Sequence, residues 1–138
     1  MGDSGRAAIL RSAGFEVVGT VESAGGLLPE QAWRRVINLD VVPVAEVDDD
    51  DLDRVDAEWR GLADESGLFA DDGSFLISPP GPGAMRLPWV RVRLTAATKL
   101  AGQLHASPGQ PEFVTAALDG HVVLGVTSEE HGVWLVRG

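Results

Sequence analysis

Three histidines and 21 carboxylates are the side chains of this 138-residue sequence with the widest chemical reach. His121 and His131 flank the last hairpin that the pattern predicts, with Glu129 and Glu130 in its loop, and His105 stands apart. Two imidazoles and a carboxylate at that spacing suit a divalent metal; polar residues at a hairpin end facing water account for the same pattern. Asp48 to Asp51 are four consecutive acids. A calcium loop needs acids at alternate positions, a glycine and a distal bidentate glutamate. Consecutive acids that open a helix instead meet its free N–H groups and the positive end of its dipole. Gly81, Pro82 and Gly83 are no phosphate cradle, because Pro82 has no N–H and neither phosphate-binding glycine motif follows. There is no Gly-x-Ser-x-Gly elbow, and no serine has a His and an Asp in a recognisable order. No carboxylate sits in an apolar context that would raise its pKa. The sequence has no cysteine, which excludes thiolate catalysis, disulfides and cysteine-based metal sites. We therefore expect no catalytic residue, no cofactor and no metal, and a non-enzymatic protein.

The hydrophobic fraction of 44% beside 23% charged residues is that of a globular chain. Its length suits one domain, 1–138. The net charge of −10 is unevenly placed: residues 1–85 carry 17 acidic and 6 basic side chains, residues 86–138 carry 4 and 5. Binding a phosphate backbone needs clustered cations, so nucleic acid is not an expected partner, and an anionic membrane is disfavoured likewise. No apolar run is long enough to cross a membrane. Ala7 to Leu10 is too short for a signal sequence and is followed by Arg11. The expected location is the cytoplasm.

The elements that would position these residues follow from spacing. Asp3 or Ser4 can cap a helix to about Ala13, and Phe15 to Val21 reads as a strand. Pro29 suits a first helical position, with Trp33, Val36 and Ile37 recurring at helical spacing. Val41 to Val47 is extended, and Pro43 confines it to an edge strand or to no strand at all. Leu52, Val55, Trp59 and Leu62 form one apolar helical stripe, which Gly67 ends. Phe75 to Ile77, Trp89 to Leu94, Glu112 to Leu118, His121 to Thr127 and Val133 to Arg137 read as strands, and Asp119-Gly120 predicts a type I′ hairpin turn. The fold class is α+β: a mainly antiparallel sheet of about five or six strands with two or three helices packed on it.

Alternation is blurred in the last two strands, so both of their faces are apolar. Helices or loops of the chain itself can cover both faces. Alternatively, helices cover one face and a partner, self or foreign, covers part of the other. On that second reading Trp89, Arg91 and Arg93, which share one face of their strand, join Phe113 and Trp134 as partner-binding residues. Arg and Trp are common interface anchors.

Read in order, these pieces resemble the N-terminal half of the EspG family, the cytosolic chaperones of type VII (ESX) secretion in actinobacteria. The resembling residues are Leu28 to Trp33, the Pro-containing segment Val41 to Val47, and the acid-capped helix. After these come Ser66 to Phe75, with its Gly-Leu-Phe and Gly turn, the alternating strand Trp89 to Leu94, and the Asp119-Gly120 hairpin. Ten arginines against one lysine are consistent with actinobacterial coding bias. The resemblance implies a chaperone that masks an apolar helical surface of a secreted client. This chain spans only one of the family's two similar halves, so the resemblance also implies a homodimer. The acidic first half suits a different partner, a basic toxin neutralised by an acidic immunity protein.

Overall fold

The structure is a computed structural model that describes residues 2–37, 40–48, 50–80, 83–107, 110–129 and 132–138. Three α-helices form where the apolar spacing predicts them: α1 (Gly2–Ser12), α2 (Pro29–Val36) and α3 (Leu52–Ser66). Because α1 begins at Gly2, Asp3 and Ser4 lie within its first turn and not at its cap. Pro29 opens α2, and the Gln31 carboxamide accepts the Leu28 N–H at 2.8 Å. Asp51 is the N-cap of α3, its carboxylate accepting the Arg54 N–H at 3.3 Å, and Gly67 closes that helix in the left-handed conformation at φ 77°. α3 buries Val55, Trp59 and Ala63, with Leu52 and Leu62 at the margin of the same stripe.

Seven strands form one antiparallel sheet: β1 (Glu16–Val21), β2 (Ala45–Val47), β3 (Ser74–Ser78), β4 (Trp89–Arg93), β7 (Phe113–Ala116), β8 (Val123–Glu129) and β9 (Gly132–Arg137). Their spatial order is β1-β4-β3-β7-β8-β9-β2. The class is the expected α+β, mostly sheet. Beside the sheet lies a two-stranded ribbon that the spacing did not foresee, β5 (His105–Ser107) with β6 (Gln110–Pro111). The Pro-containing segment enters the sheet only after Pro43, as the edge strand β2 paired with β9.

The hairpin at Asp119-Gly120 forms, but not with a type I′ turn. No residue other than glycine has positive φ among the described residues, so Gly120 alone, at φ 77°, turns left-handed. The Ala117 carbonyl accepts the Gly120 N–H, the Ala117 N–H reaches the Val122 carbonyl, and Asp119 uses its carboxylate to accept the His121 N–H. A carboxylate that closes this local bond keeps Asp119 in ordinary backbone space.

Most of both faces of the sheet is covered from within the chain, which favours the first of the two readings; at the margins Arg91, Arg93 and Trp134 stay partly open. On the first face α1, α3 and the loop 98–104 bring Leu10, Val55, Trp59, Leu100 and Leu104 onto Phe75, Ile77, Val92, Leu124 and Val126. Trp59 is the hub, with ring centroids of Phe69, Phe75 and Phe113 at 6.1, 5.5 and 6.4 Å. Its indole N–H donates to Thr115 Oγ1 at 3.3 Å, and that hydroxyl donates to the Leu124 carbonyl at 2.9 Å. On the second face α2 and Ala24 bring Ala32, Trp33 and Val36 onto Leu76, Val114, Ala116, Val123 and Val136. Gly125 is what lets α2 settle so close: a Cβ there would stand 2.8 Å from the Val36 side chain. Burial of each large side chain stabilises by about 1.5–3 kcal/mol. Two apolar faces need two covers, and an eight-residue helix with its flanking loops supplies the second.

Candidate protein-binding surface

Of the five residues expected to meet a partner, the fold closes two. Trp89 and Phe113 have no exposed surface. Trp89 lies in the second core with its indole N–H donated to the Leu27 carbonyl at 3.0 Å, and Phe113 packs against Trp59 in the first. Both are core residues, because alternation assigns a side chain to a face of the sheet but cannot say what covers that face. Arg91 and Arg93 do share a face with Trp89, at the far end of the sheet from α2, and they are held by the chain's own acids. Arg91 donates to Ser74 Oγ and Asp72 Oδ2, both at 3.0 Å. Arg93 donates to the Asp72 carbonyl at 3.1 Å, to Asp72 Oδ2 at 3.0 Å and to Glu16. Hydrogen bonds from the Ser74 hydroxyl and N–H, then from Arg93, hold the Asp72 carboxyl far below the usual carboxylate range. Arg91, Arg93 and Trp134 stay partly open, and Trp134 packs at the margin of the second core.

Of the histidines and acids whose spacing suggested a metal site, the described pair His121 and Glu129 lies far apart. His121 precedes β8 and Glu129 ends it. Eight residues of extended chain separate them, about 27 Å. His131 and Glu130 lie outside the described residues, as do Asp49, Gly81, Pro82 and the side chain of His105. No group of three or more potential ligands occurs among the described residues. His121 instead contacts Asp119 through Nδ1, and the two are 55% and 71% exposed in their side chains. Hydrogen bonding by His121 lowers the Asp119 carboxyl. The pair closes the hairpin turn in open water, where a His–Asp couple lacks the dry surroundings that strengthen acid–base catalysis. Asp56, half-buried on α3, caps the loop that follows β4: its carboxylate accepts the N–H groups of Leu100 at 3.1 Å and Ala101 at 2.8 Å. Burial raises its pKa, and those two bonds partly oppose the rise.

Two surface regions expose large apolar side chains together. One is a groove of about 350 Å³ between the β1–α2 loop and the 3₁₀ turn Ala84–Arg86, where Leu28 and Met85 border Glu22, Glu30 and Arg86. Its charges are mixed, and Glu30 is paired with Arg34 at 2.7 Å. The other is the corner formed by the segment that enters the β2 edge, where Val42 is 80% and Val44 48% exposed; Ile37, next after α2, is 45% exposed. The Val44 N–H donates to the Leu135 carbonyl at 2.7 Å, which holds this segment against β9. Val41 and Trp134 pack at the margin of the second core, beside Val36.

Every charge bordering this corner on the segment 44–53 is negative: Glu46, Asp48, Asp50, Asp51 and Asp53 are all exposed. Among the described residues Glu46, Asp48 and Asp50 form no ion pair, and Asp53 meets Lys99 only at 3.9 Å. The acidic run was legible as helix capping; the adjoining apolar corner was missed. Its signal, Val42 and Val44 alternating with Val41 and Pro43 shortly before consecutive acids, reads equally well as a buried strand. No described helix is long and apolar enough to cross a membrane. Comparison with family models, with curated proteins and with solved structures finds no match to this chain.

Proposed function

We propose that this chain is a non-enzymatic protein-binding module, acting in the cytoplasm, that recognises a cationic and partly apolar surface of another protein. The observation that carries the reading is the corner at the β2 edge where Val42 and Val44 stand exposed on the same short segment as the exposed Glu46, Asp48 and Asp50. Adjacent apolar surface and unpaired negative charge suit a partner with the opposite charge around an apolar contact. This favours the immunity-type reading, an acidic domain neutralising a basic toxin, over an EspG-like chaperone for an apolar helix. The chaperone reading rests on the order of the elements and on the apolar sheet faces, and the cover that α2 provides on the second face weakens the latter support.

Calorimetric titration with the purified proteins encoded beside this chain tests the proposal at low and high salt. A basic neighbour should bind, with affinity falling steeply as ionic strength shortens the reach of surface charge. Binding that ignores salt, or binding only to an apolar helical secreted protein, overturns it.

A further inference from the structure

We infer that Trp134 and Glu46 form a seat for a single arginine side chain presented by the partner; the inference rests on the cationic-partner reading above. Glu46 of β2 and Trp134 of β9 are directly paired across the sheet edge, on the face opposite Val47 and Val133. Side chains so paired stand about 5 Å apart at Cβ. Trp134 differs from the chain's other tryptophans. Trp33, Trp59 and Trp89 are closed off, and each donates its indole N–H to an internal acceptor. Trp134 remains partly open, and among the described residues its indole makes no hydrogen bond.

On the other side of Trp134 the paired residue is Thr127 of β8, 5% exposed, whose hydroxyl oxygen is buried without a partner among the described residues. Three neighbouring strands thus place a buried hydroxyl, a partly open indole and an exposed carboxylate in one row, and only the last two are open to a partner. A guanidinium suits that pair. It is planar and stacks on an indole face while its N–H donors reach the neighbouring carboxylate. Lysine offers a compact charge without the stacking plane. The other carboxylates of the corner would draw a cationic partner toward this row but contain no ring to orient it.

The test uses the full chain and a defined probe, the peptide acetyl-Arg-Leu-Arg-Leu-amide, followed by ¹⁵N–¹H correlation of the four indole N–H groups. The Trp134 signal is assigned by its loss in Trp134→Phe. It should move saturably with the peptide while the other three stay put. The same peptide with citrulline in place of arginine keeps the shape and removes the charge, and should leave the signal still. Glu46→Gln lies on the surface and should weaken binding by about tenfold, the loss expected of one charge-assisted hydrogen bond. A still Trp134 signal, equal binding of the citrulline peptide, or an unchanged affinity in Glu46→Gln overturns the seat. If main-chain signals elsewhere in the corner respond to the arginine peptide while Trp134 does not, the seat fails and the cationic-partner reading stands. If no signal anywhere responds, both fail.

Discussion

Gly125→Ala tests the feature on which the cover of the second face depends. The added methyl would stand 2.8 to 2.9 Å from three atoms of the Val36 side chain, closer than carbon atoms pack. Val36 is 2% exposed and belongs to the short helix α2, whose other buried side chains pin it to the same sheet. Relief therefore requires α2 to lift or Val36 to leave its rotamer, and overpacking of this kind costs about 1–3 kcal/mol. At roughly 4 °C per kcal/mol for a chain of this length, the melting temperature should fall by about 4–12 °C. Val36→Ala alone removes packing and costs roughly 1–3 kcal/mol. Together the two changes should compensate, leaving the double variant at least about 1 kcal/mol more stable than the sum of the singles predicts. Urea unfolding followed by circular dichroism and tryptophan fluorescence measures all four proteins. A neutral Gly125→Ala, or strict additivity with Val36→Ala, would mean that α2 does not sit on β8. The second face would then be open, and the docking role first expected of it would return.

Trp33→Phe should cost about 1–3 kcal/mol, read as a lowered urea midpoint, because buried Ser78 Oγ loses its donor at 2.7 Å. Adding Ser78→Ala should recover part of that loss. Thr127→Val removes a buried hydroxyl that has no partner, and should leave the thermal midpoint unchanged or raise it. A clear drop would show that the hydroxyl is satisfied after all. For Asp72 the folded pKa is depressed, so its contribution to stability is complete above the unfolded value of about 3.9 and is lost as pH falls from there toward the folded value. Asp72→Asn should therefore flatten the acid limb of the stability profile below about pH 4, as read by urea midpoints across that range.

Helix positions were legible because they depend on local spacing. The stripe from Leu52 to Leu62 and the proline at position 29 each fixed a helix from within the segment. Most of the strands were legible for the same reason, and the constraint imposed by Pro43 correctly made β2 an edge. What surrounds a strand is not local. Trp89 and Arg91 share one face, yet one is sealed beneath Leu27 and the other is bound to Asp72. Nothing in Trp89 to Arg93 distinguishes those fates, since the covering groups arrive from about sixty residues upstream and about twenty respectively. The turn at Asp119 was misread for a subtler reason. Asp-Gly tolerates a type I′ turn, but the bond from the His121 N–H to the Asp119 carboxylate, together with packing of Gly120 against Ala24, selects another. A contact across nearly a hundred residues chose between two local minima.

The edges of the sheet limit how a partner can bind. A strand edge offers unpaired N–H and C=O groups to any extended chain, and proteins restrain that hazard with bulges, charge and brevity. β1 has a bulge between Val17 and Gly19 and begins with Glu16, and β2 is three residues long with Glu46 at its centre. Neither edge presents a long, flat, neutral strand. With most of both faces covered and both edges blunted, main-chain pairing and a broad apolar docking face are unfavourable routes to a complex. Side-chain recognition remains, and the −10 charge sets its character. The described ion pairs engage Arg91 and Arg93 within the β1–β3 end of the sheet, leaving the β2 end with its acids largely uncompensated. Like charges so placed repel one another in the free chain, so a cationic partner gains both its own attraction and relief of that repulsion. Both gains diminish as salt screens them, which ties the partner's chemistry to ionic strength.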